Sequence, residues 1–267
     1  MSESKPKLKV LDLFSGILVG GFSLGLERTG GFSTVAFCEI EPFPRRVLAK
    51  HWPEVPQYDD VRTLTGDILA RDGIAVDVIT GGFPCQDLST AGKRAGMGEG
   101  TRSGLWSEIV RLIGELRPRY VIVENVAALL SGPSERRGGW FGRVLGDLAE
   151  CGYDAEWENI PAATMGALHR RERVWVIAYP AAVGRTEVAL FDIARDVYEA
   201  CGRWAPRDVG ALGGENIIAD WEKQSGLSLV ADGFSDGSRR CAAAGNAVYP
   251  AISELIGRAI LAAEAGA

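Results

Sequence analysis

Several features that would mark other protein classes are missing from this chain. No apolar run is long enough to cross a bilayer, and the opening MSESKPKLKV has no apolar core, so neither a membrane span nor a secretory leader is expected. The five cysteines (Cys38, Cys85, Cys151, Cys201 and Cys241) are odd in number, scattered, and never spaced as CxxC. That argues against a disulfide framework and against a structural zinc site, and points to reduced thiols in a cytoplasmic protein. Internal repeats and low-complexity tracts are absent. An excess of positive charge is missing too, because the net charge is −6. This counts mildly against a nucleic-acid partner, but a basic cleft can sit on an acidic body and has to be sought locally.

What is present suits a folded domain. A chain of 267 residues, 46% apolar and 24% charged, can bury a full core as an ordinary soluble protein does. One large domain, or one with a small appendage, is the expected organisation. The organising stretch is DVITGGFPCQDLS, residues 77–89. Val76, Val78 and Ile79 are β-branched and stop at Gly81-Gly82, which predicts a short buried strand ended by two glycines. Phe83-Pro84-Cys85-Gln86 follows at once. Proline fixes its own φ and restrains Phe83, so the Cys85 thiol is presented from a stiffened turn at the carboxyl end of a strand. Ligands and chemistry gather at that edge of an open α/β sheet. On these residues alone, a small buried hydrophobe is the commoner fate of such a cysteine.

Around this stretch the chain alternates strands and helices. Residues 8–14 read as a strand, Ser15-Gly16 and Gly20-Gly21 bracket a turn, and Phe22, Leu24 and Leu26 suggest a helix start. Strand, glycine turn and helix together make a cradle for a nucleotide-like ligand. Residues 35–38 predict the next strand, closed by Glu39, which lies 18 residues after Gly21. An acid at roughly 20 residues is where dinucleotide-binding folds meet a ribose. A helix is expected from Pro42 to His51, followed by Asp59-Asp60-Val61. Residues 91–104 hold five glycines with Lys93, Arg94 and Arg102, which reads either as a surface linker or as a lid beside the thiol. Ser103 is expected to cap a helix through Leu116, with Trp106, Ile109, Val110 and Ile113 on one face. Residues 120–123 predict a buried strand that brings Glu124-Asn125 to the same sheet edge as Cys85. A helix over 141–150, a strand over 156–160 and a strand over 174–179, preceded by His169-Arg170-Arg171-Glu172-Arg173, complete a mostly parallel, doubly wound α/β sheet. Periodicity weakens over 181–237, where a small irregular insert is expected. Gly245-Asn246 then leads into a helix over 247–263 with Ile252, Leu255, Ile256 and Ile260 inward. The expected division is therefore 1–180 for the cofactor-binding and catalytic domain, 181–237 for the insert, and 238–267 for a segment returning to the first domain.

Taken together, these pieces resemble a cytosine-5 DNA methyltransferase of the compact bacterial or phage kind. The matching motifs are Asp12-Leu13-Phe14-Ser15-Gly16, Gly20-Gly21-Phe22, Phe83-Pro84-Cys85-Gln86, Glu124-Asn125-Val126, Arg171-Glu172-Arg173 and Gly245-Asn246-Ala247-Val248. They stand in family order and cover nearly everything outside 181–237, and Phe-Pro-Cys-Gln with Glu-Asn-Val is the specific pair. The resemblance implies a Rossmann-like fold that uses S-adenosylmethionine to methylate C5 of a flipped-out cytosine in double-stranded DNA. It makes Cys85 the nucleophile that adds at C6 and Glu124 the protonated carboxyl at N3. Arg171 and Arg173 become electrostatic stabilisers, Arg173 at the cytosine carbonyl. For the cofactor it implies Phe14, Gly16, Gly20, Gly21 and Phe22 on the methionine and ribose side, Glu39 at the ribose hydroxyls and Asp60 at the adenine amino group. Ile40, Val61 and Pro84 stand beside them, with Asn246 and Ala247 in a segment folding back from the C-terminus. The family implies no metal, a monomer, and a cognate restriction endonuclease as partner.

Residues 87–102 match the family's mobile loop, and 181–237 its target-recognition region, where Arg203, Arg207, Arg239 and Arg240 read equally as DNA contacts or as surface charge. The pattern breaks in two places: His169 stands where the family usually has Gln, and Ile17, Leu18 and Val19 stand where it usually has one residue. Two alternatives therefore stay open, a tRNA cytosine-5 methyltransferase with the same motifs and a catalytically weakened DNA-binding relative. A nicotinamide-dependent oxidoreductase shares the strand, glycine turn and ribose acid but has no use for Phe-Pro-Cys-Gln opposite Glu-Asn-Val.

Overall fold

The computed structural model describes residues 5–16, 20–83, 105–130, 139–165, 171–182, 190–200 and 248–266. Seven strands form one sheet: β1 (Leu8–Leu13), β2 (Phe32–Cys38), β3 (Gln57–Tyr58), β4 (Val78–Gly81), β5 (Tyr120–Val126), β6 (Tyr153–Pro161) and β7 (Glu172–Pro180). Their order is β3-β2-β1-β4-β5-β7-β6. The first five pair in parallel, and β7 lies antiparallel between β5 and β6. The helices are α1 (Gly21–Arg28), α2 (Pro42–His51), α3 (Gly66–Arg71), α4 (Trp106–Leu116), α5 (Gly139–Glu150), α6 (Leu190–Ala200) and α7 (Pro250–Gly266).

Parallel strands covered on both faces need apolar side chains in both directions, and β1, LKVLDL, is such a run. Leu11, Leu13, Ile79, Val121 and Val123 pack on one face with Trp106 and Ile109 of α4 and Val144 and Leu148 of α5. Val10, Val78, Ile122 and Trp175 pack on the other with Phe22 and Leu26 of α1 and Ile252 and Ile256 of α7. Each fully buried side chain of this size contributes about 1.5–3 kcal/mol. The approach of α1 to α7 is close because it is made through glycine. A Cβ on Gly25 would collide with the Pro250 carbonyl and lie 2.6 Å from Ser253 Cβ. Gly25→Ala would therefore force the two helices apart.

Expected and observed elements agree most where the apolar runs are long. The strand over 78–81 is fully buried and ends at the glycine pair. Helix α2 has the expected bounds, with proline in its first turn. Several details differ. α4 is capped by Leu105 in helical conformation, and Ser103, the expected cap, lies outside the described residues. On its inner face Leu112 is buried where Val110 was expected, Val110 being only partly so. On α7 Leu255 is half-buried rather than inward, and the small residues Ser253 and Gly257 fill the contact with α1. β3 and α3, of two and six residues, are too short for periodicity to announce. The stretch 181–237, expected to be irregular, contains α6, whose Leu190, Phe191 and Ala194 are buried as it packs on α7 and β6. Residues 201–247 lie outside the described residues. No helix among the described residues is long and apolar enough to cross a membrane.

Candidate active site

Side chains alternate along a strand, so Asp12, Thr80 and Glu124 share the sheet face of Val10, Val78 and Ile122, beneath α1 and α7. Asp12 is wholly buried near the end of β1. Its carboxylate accepts from Ser23 Oγ at 2.7 Å, from Ser23 N at 3.4 Å and from Thr80 Oγ1 at 2.9 Å. One acid thereby ties β1 and β4 to the first turn of α1. Burial pushes its pKa up to about 6, against the opposing hydrogen bonds from Ser23 and Thr80. Sequence reasoning did not include Asp12 or Ser23 among the functional residues. The available signal was an acid inside the apolar run LKVLDLF.

The glycine turn begins on strained backbone. Phe14 has φ +54°, a left-handed value unusual for a bulky residue, and its N–H donates to Cys38 O at 2.8 Å. Gly16 follows at φ +70° and Gly20 at φ +54°. Gly16 N donates to Glu39 Oε2 at 2.8 Å, Glu41 N donates to Glu39 Oε1 at 2.8 Å, and Gly20 N donates to Ser15 O at 3.1 Å. Glu39 is buried at the end of β2, and burial raises its pKa against the amides of Glu41 and Gly16. Next to it, Ile40 is 57% exposed, an apolar side chain turned outward beside a buried acid. Asp60 lies just past β3 at the same sheet end, but its carboxylate is clamped by Arg62, Nε at 2.9 Å and Nη2 at 2.6 Å. That hydrogen-bonded pairing holds the Asp60 pKa below its usual range. Val61 is buried in the core, and its carbonyl accepts from Arg111 Nη2 at 2.9 Å.

Phe22 is buried against Trp175, edge to face at 5.6 Å. Gly21 sits so close to Val248 that a Cβ there would strike the Val248 carbonyl. The segment entering α7 therefore rests on the start of α1. Asn246 and Ala247, immediately before Val248, lie outside the described residues, as do Pro84 and Cys85.

The second cluster forms where β5 meets β7. β5 continues through Glu124 to Val126 because β7 pairs with it there, Glu124 opposite Trp175 and Val126 opposite Arg173. This register delivers two arginines to one carboxylate. Arg173 Nε lies 3.0 Å from Glu124 Oε1, and Arg171 Nη2 lies 3.9 Å from the same oxygen. Glu124 is buried, which raises its pKa, while Arg173 and Arg171 pull it down. Arg171 is buried as well, and desolvation together with Arg173 pushes its pKa down to about 9. Asn125 turns the other way: its Nδ2 donates to Phe83 O at 3.2 Å, and its Oδ1 accepts from Val126 N at 2.8 Å. This amide ties the end of β5 to the exit of β4, two residues before Cys85. Thus the structure brings together Glu124, Arg171 and Arg173 in one cluster, and Phe14, Gly16, Gly20 and Glu39 in another.

The sheet order, with an antiparallel β7 between β5 and β6 and glycine turn and carboxylates at the carboxyl ends of the strands, is that of a Rossmann-like methyltransferase. Solved structures with this fold include Dnmt2 of Spodoptera frugiperda, at 14% identity with a TM-score of 0.67 over 96% of this chain and 100% of that one. Dnmt2 of S. pombe matches at 16% identity with a TM-score of 0.65 over 96% of this chain and 99% of that one. The chain belongs to the C-5 cytosine-specific DNA methylase family, whose model matches residues 8–192. Among its relatives, the Type II methyltransferase M2.BsuMI of Bacillus subtilis is 37% identical over 175 residues, which are 64% of this chain and 42% of that protein. M.Sau3AI of Staphylococcus aureus is 38% identical over 184 residues, 65% of this chain and 43% of that protein. M.AluI of Cellulosimicrobium cellulans is 32% identical over 260 residues, 88% of this chain and 47% of that protein. The chain spans less than half the length of each of these relatives.

Proposed function

We propose that this protein transfers a methyl group from S-adenosylmethionine to C5 of a cytosine flipped out of double-stranded DNA. The observation that carries the reading is the buried Glu124 carboxyl, one oxygen of which faces both Arg173 and Arg171, on a strand end tied through Asn125 to the strand exit that leads to Cys85. C5 of cytosine is a poor nucleophile. The Cys85 thiolate adds at C6, the ring electrons move toward N3, and Glu124 gives N3 a proton. The guanidinium of Arg173 offsets charge at the C2 carbonyl, with Arg171 behind it. The ring is now an enamine, nucleophilic at C5. After methylation a base removes the C5 proton, the C6–S bond breaks, and N3 returns its proton to Glu124, which restores the aromatic ring, the thiolate and the protonated carboxyl.

The residues at the other cluster fit the methyl donor, which when bound supplies an electrophilic methyl on a sulfonium. Backbone N–H groups of Gly16, Glu41 and Ile40 hold the Glu39 carboxylate, whose two oxygens together offer about four acceptor sites, so lone pairs remain for ribose hydroxyls. The exposed Ile40 offers an apolar surface to the adenine ring, and Asp60 would reach its amino group in competition with Arg62. Phe14, Gly16, Gly20, Gly21 and Phe22 would line the methionine side, with Val61, Pro84, Asn246 and Ala247 beside them. Drawing the base out of the duplex costs a few kcal/mol, which contacts elsewhere must offset. We assign that work and the choice of sequence to residues 181–237, with residues 238–267 returning to the catalytic domain of residues 1–180. Relatives named as Type II methyltransferases support a restriction-modification setting with a cognate endonuclease, and we read the protein as a cytoplasmic monomer.

A duplex carrying 5-fluorocytosine tests the reading, because fluorine at C5 leaves no proton to remove and the adduct persists. With the labelled donor, the wild-type protein should form a denaturation-stable adduct that maps to Cys85, and Cys85→Ser should form none. An adduct at Cys38, Cys151, Cys201 or Cys241, or full turnover by Cys85→Ser, would overturn it. Methyl transfer to tRNA but not to duplex DNA would move the protein to the RNA branch.

A further inference from the structure

The turn that carries Asp60 is closed on itself and fastened from outside by one side chain. Asp60 O accepts from Thr63 N and Leu64 N, each at 3.1 Å, and from Thr63 Oγ1 at 3.0 Å, so residues 60–64 fold into a single turn. The side chains of Val61 and Leu64 are buried in the core. Their carbonyl oxygens both accept from Arg111 Nη2 of α4, at 2.9 and 2.8 Å. The guanidinium is itself fixed. Its Nε donates to Glu108 Oε2 at 2.9 Å and its Nη1 to Glu115 Oε1 at 2.8 Å, one turn of α4 to either side. The other Glu115 oxygen accepts from Gly66 N at 2.7 Å, where α3 begins. Arg111 and Glu115 therefore grip the backbone of 61–66 as a pair, the cation on two carbonyls and the anion on an amide.

Only arginine makes this set of bonds, because its donors form a rigid planar fork, whereas a lysine ammonium is a single point on a flexible stem. The fork also does more than join α4 to the turn, which Val61 and Leu64 already seat in the core. What it adds is a fixed position for the polar backbone of the turn, and the residue at the head of that turn is Asp60. The Asp60 carboxylate is paired with Arg62, whose side chain is 60% exposed. An exposed pair of this kind is weak and yields to a competing ligand. The backbone beneath it is held by Arg111, so the carboxyl can turn toward a ligand without the main chain moving. We propose that Arg111 is a positioning residue for the methyl-donor site, holding from α4 the turn that aims Asp60 at the adenine amino group. This rests on the reading of Asp60 given above and adds to it a residue that acts through the turn, not on the ligand.

Calorimetry with two ligands tests it: S-adenosylhomocysteine, and its analogue carrying hydrogen in place of the 6-amino group. A hydrogen bond to a charged group is worth about tenfold or more in affinity, so the wild-type protein should prefer the first ligand by at least that factor. Arg111→Lys keeps the positive charge and loses the fork. Its preference should shrink to the few-fold of an unaimed hydrogen bond, through weaker binding of S-adenosylhomocysteine, while the analogue binds as it does to wild type. A prop that served only the fold would weaken both ligands alike, so an equal loss on the two would overturn the inference. So would an undiminished preference in the variant. If Arg111→Lys fails to fold, Glu115→Gln decides. Its amide oxygen can still accept from Gly66 N, but Arg111 Nη1 loses its carboxylate, and the preference should shrink by a smaller factor. An unchanged preference there overturns the inference. A wild-type protein that binds both ligands equally takes Asp60 away from the adenine and the inference with it, while methyl transfer stands. One that binds neither overturns the reading of the donor site first, and the inference with it.

Discussion

Two buried glutamates stand at strand ends of this sheet, and they are held in different ways. Glu39, after β2, takes backbone N–H groups from Gly16 and Glu41, one on each oxygen. Glu124, in β5, faces the side chains of Arg173 and Arg171. Burial raises the pKa of both, and in each case the partners oppose the rise. Backbone amides cannot leave without unfolding the turn, so Glu39 is a fixture suited to gripping a hydroxylated ligand. Guanidinium groups are tethered by rotatable side chains, so they can shift from the carboxylate to a ligand. Glu124 can therefore change its protonation as its partners move. On the proposed function, Glu39 is the binding acid and Glu124 the acid of the proton chemistry.

The largest expected effect comes from removing the proton donor. Glu124→Gln keeps the shape and the burial but cannot protonate N3, so turnover should fall by about 10²- to 10⁴-fold. Affinity for S-adenosylmethionine should be unchanged, because the donor is assigned to the Glu39 cluster. Steady-state kinetics with calorimetry on the same preparation measures both. A few-fold loss of rate would mean that the Glu124–arginine cluster is structural and that the contrast with Glu39 is empty.

A third buried acid extends the comparison. Asp12 is held by the hydroxyls of Ser23 and Thr80 and by the Ser23 amide, and burial pushes its pKa up to about 6 from 3.8. A carboxyl that is harder to ionise in the folded state than in the unfolded one stabilises the fold fully below its unfolded pKa. That contribution is lost as the pH rises through the folded value. About two pKa units correspond to about 3 kcal/mol. Between about pH 4 and about pH 7, wild-type stability should therefore fall by about that much relative to Asp12→Asn, measured by urea unfolding at the two ends of the window. Parallel pH profiles for the two proteins would show that Asp12 does not titrate there.

Glu39→Gln should act on the other parameter. The amide places an N–H₂ where one of the backbone donors now points and weakens the turn's hold on the ribose. A charged hydrogen bond is worth about 1.5–3 kcal/mol, so affinity for S-adenosylmethionine should drop by at least about tenfold. Turnover at saturating donor should stay close to wild type. If Glu39→Gln lowers turnover and spares affinity, the division of labour between the two acids is wrong.

Much of this was legible in the sequence, and the parts that were not have physical causes. Long apolar runs announced β1, β4 and β5, and a proline start announced α2, because these signals are local. The pairing of Glu124 with Arg173 was not local: it depends on β7 returning antiparallel beside β5, which fixes Val126 opposite Arg173 across 46 intervening positions of chain. The roles of Asp12 and Ser23 were hidden for the same reason, since a buried acid declares its partners only once strand and helix are packed. Short elements such as β3 and α3 carried too few residues to show a period, and α6 was obscured by the weak pattern around it.

The smallest effect is expected where the glycine turn departs from its family. Ile17, Leu18 and Val19 separate Gly16 from Gly20, and the residues on either side are pinned. Gly16 N is held by Glu39 and Gly20 N by Ser15 O, a closure from residue i to residue i+5. Deleting Leu18 and Val19 would turn that closure into one from i to i+3, the span of a β-turn, which a glycine-bounded loop accommodates. The two pinned ends need not move, so Glu39 keeps its amides and the site keeps its frame. The shorter loop has less freedom to lose when the donor binds. Halving a loop is worth about 0.6 kcal/mol, close to a threefold gain in affinity. Calorimetry with S-adenosylmethionine on the deletion variant should show that modest tightening, with a matching rise in methyl transfer at low donor concentration. Equal or weaker binding would mean that the three-residue spacing is itself fitted to the donor. The fixture at Glu39 would then depend on the enlarged turn, not merely tolerate it.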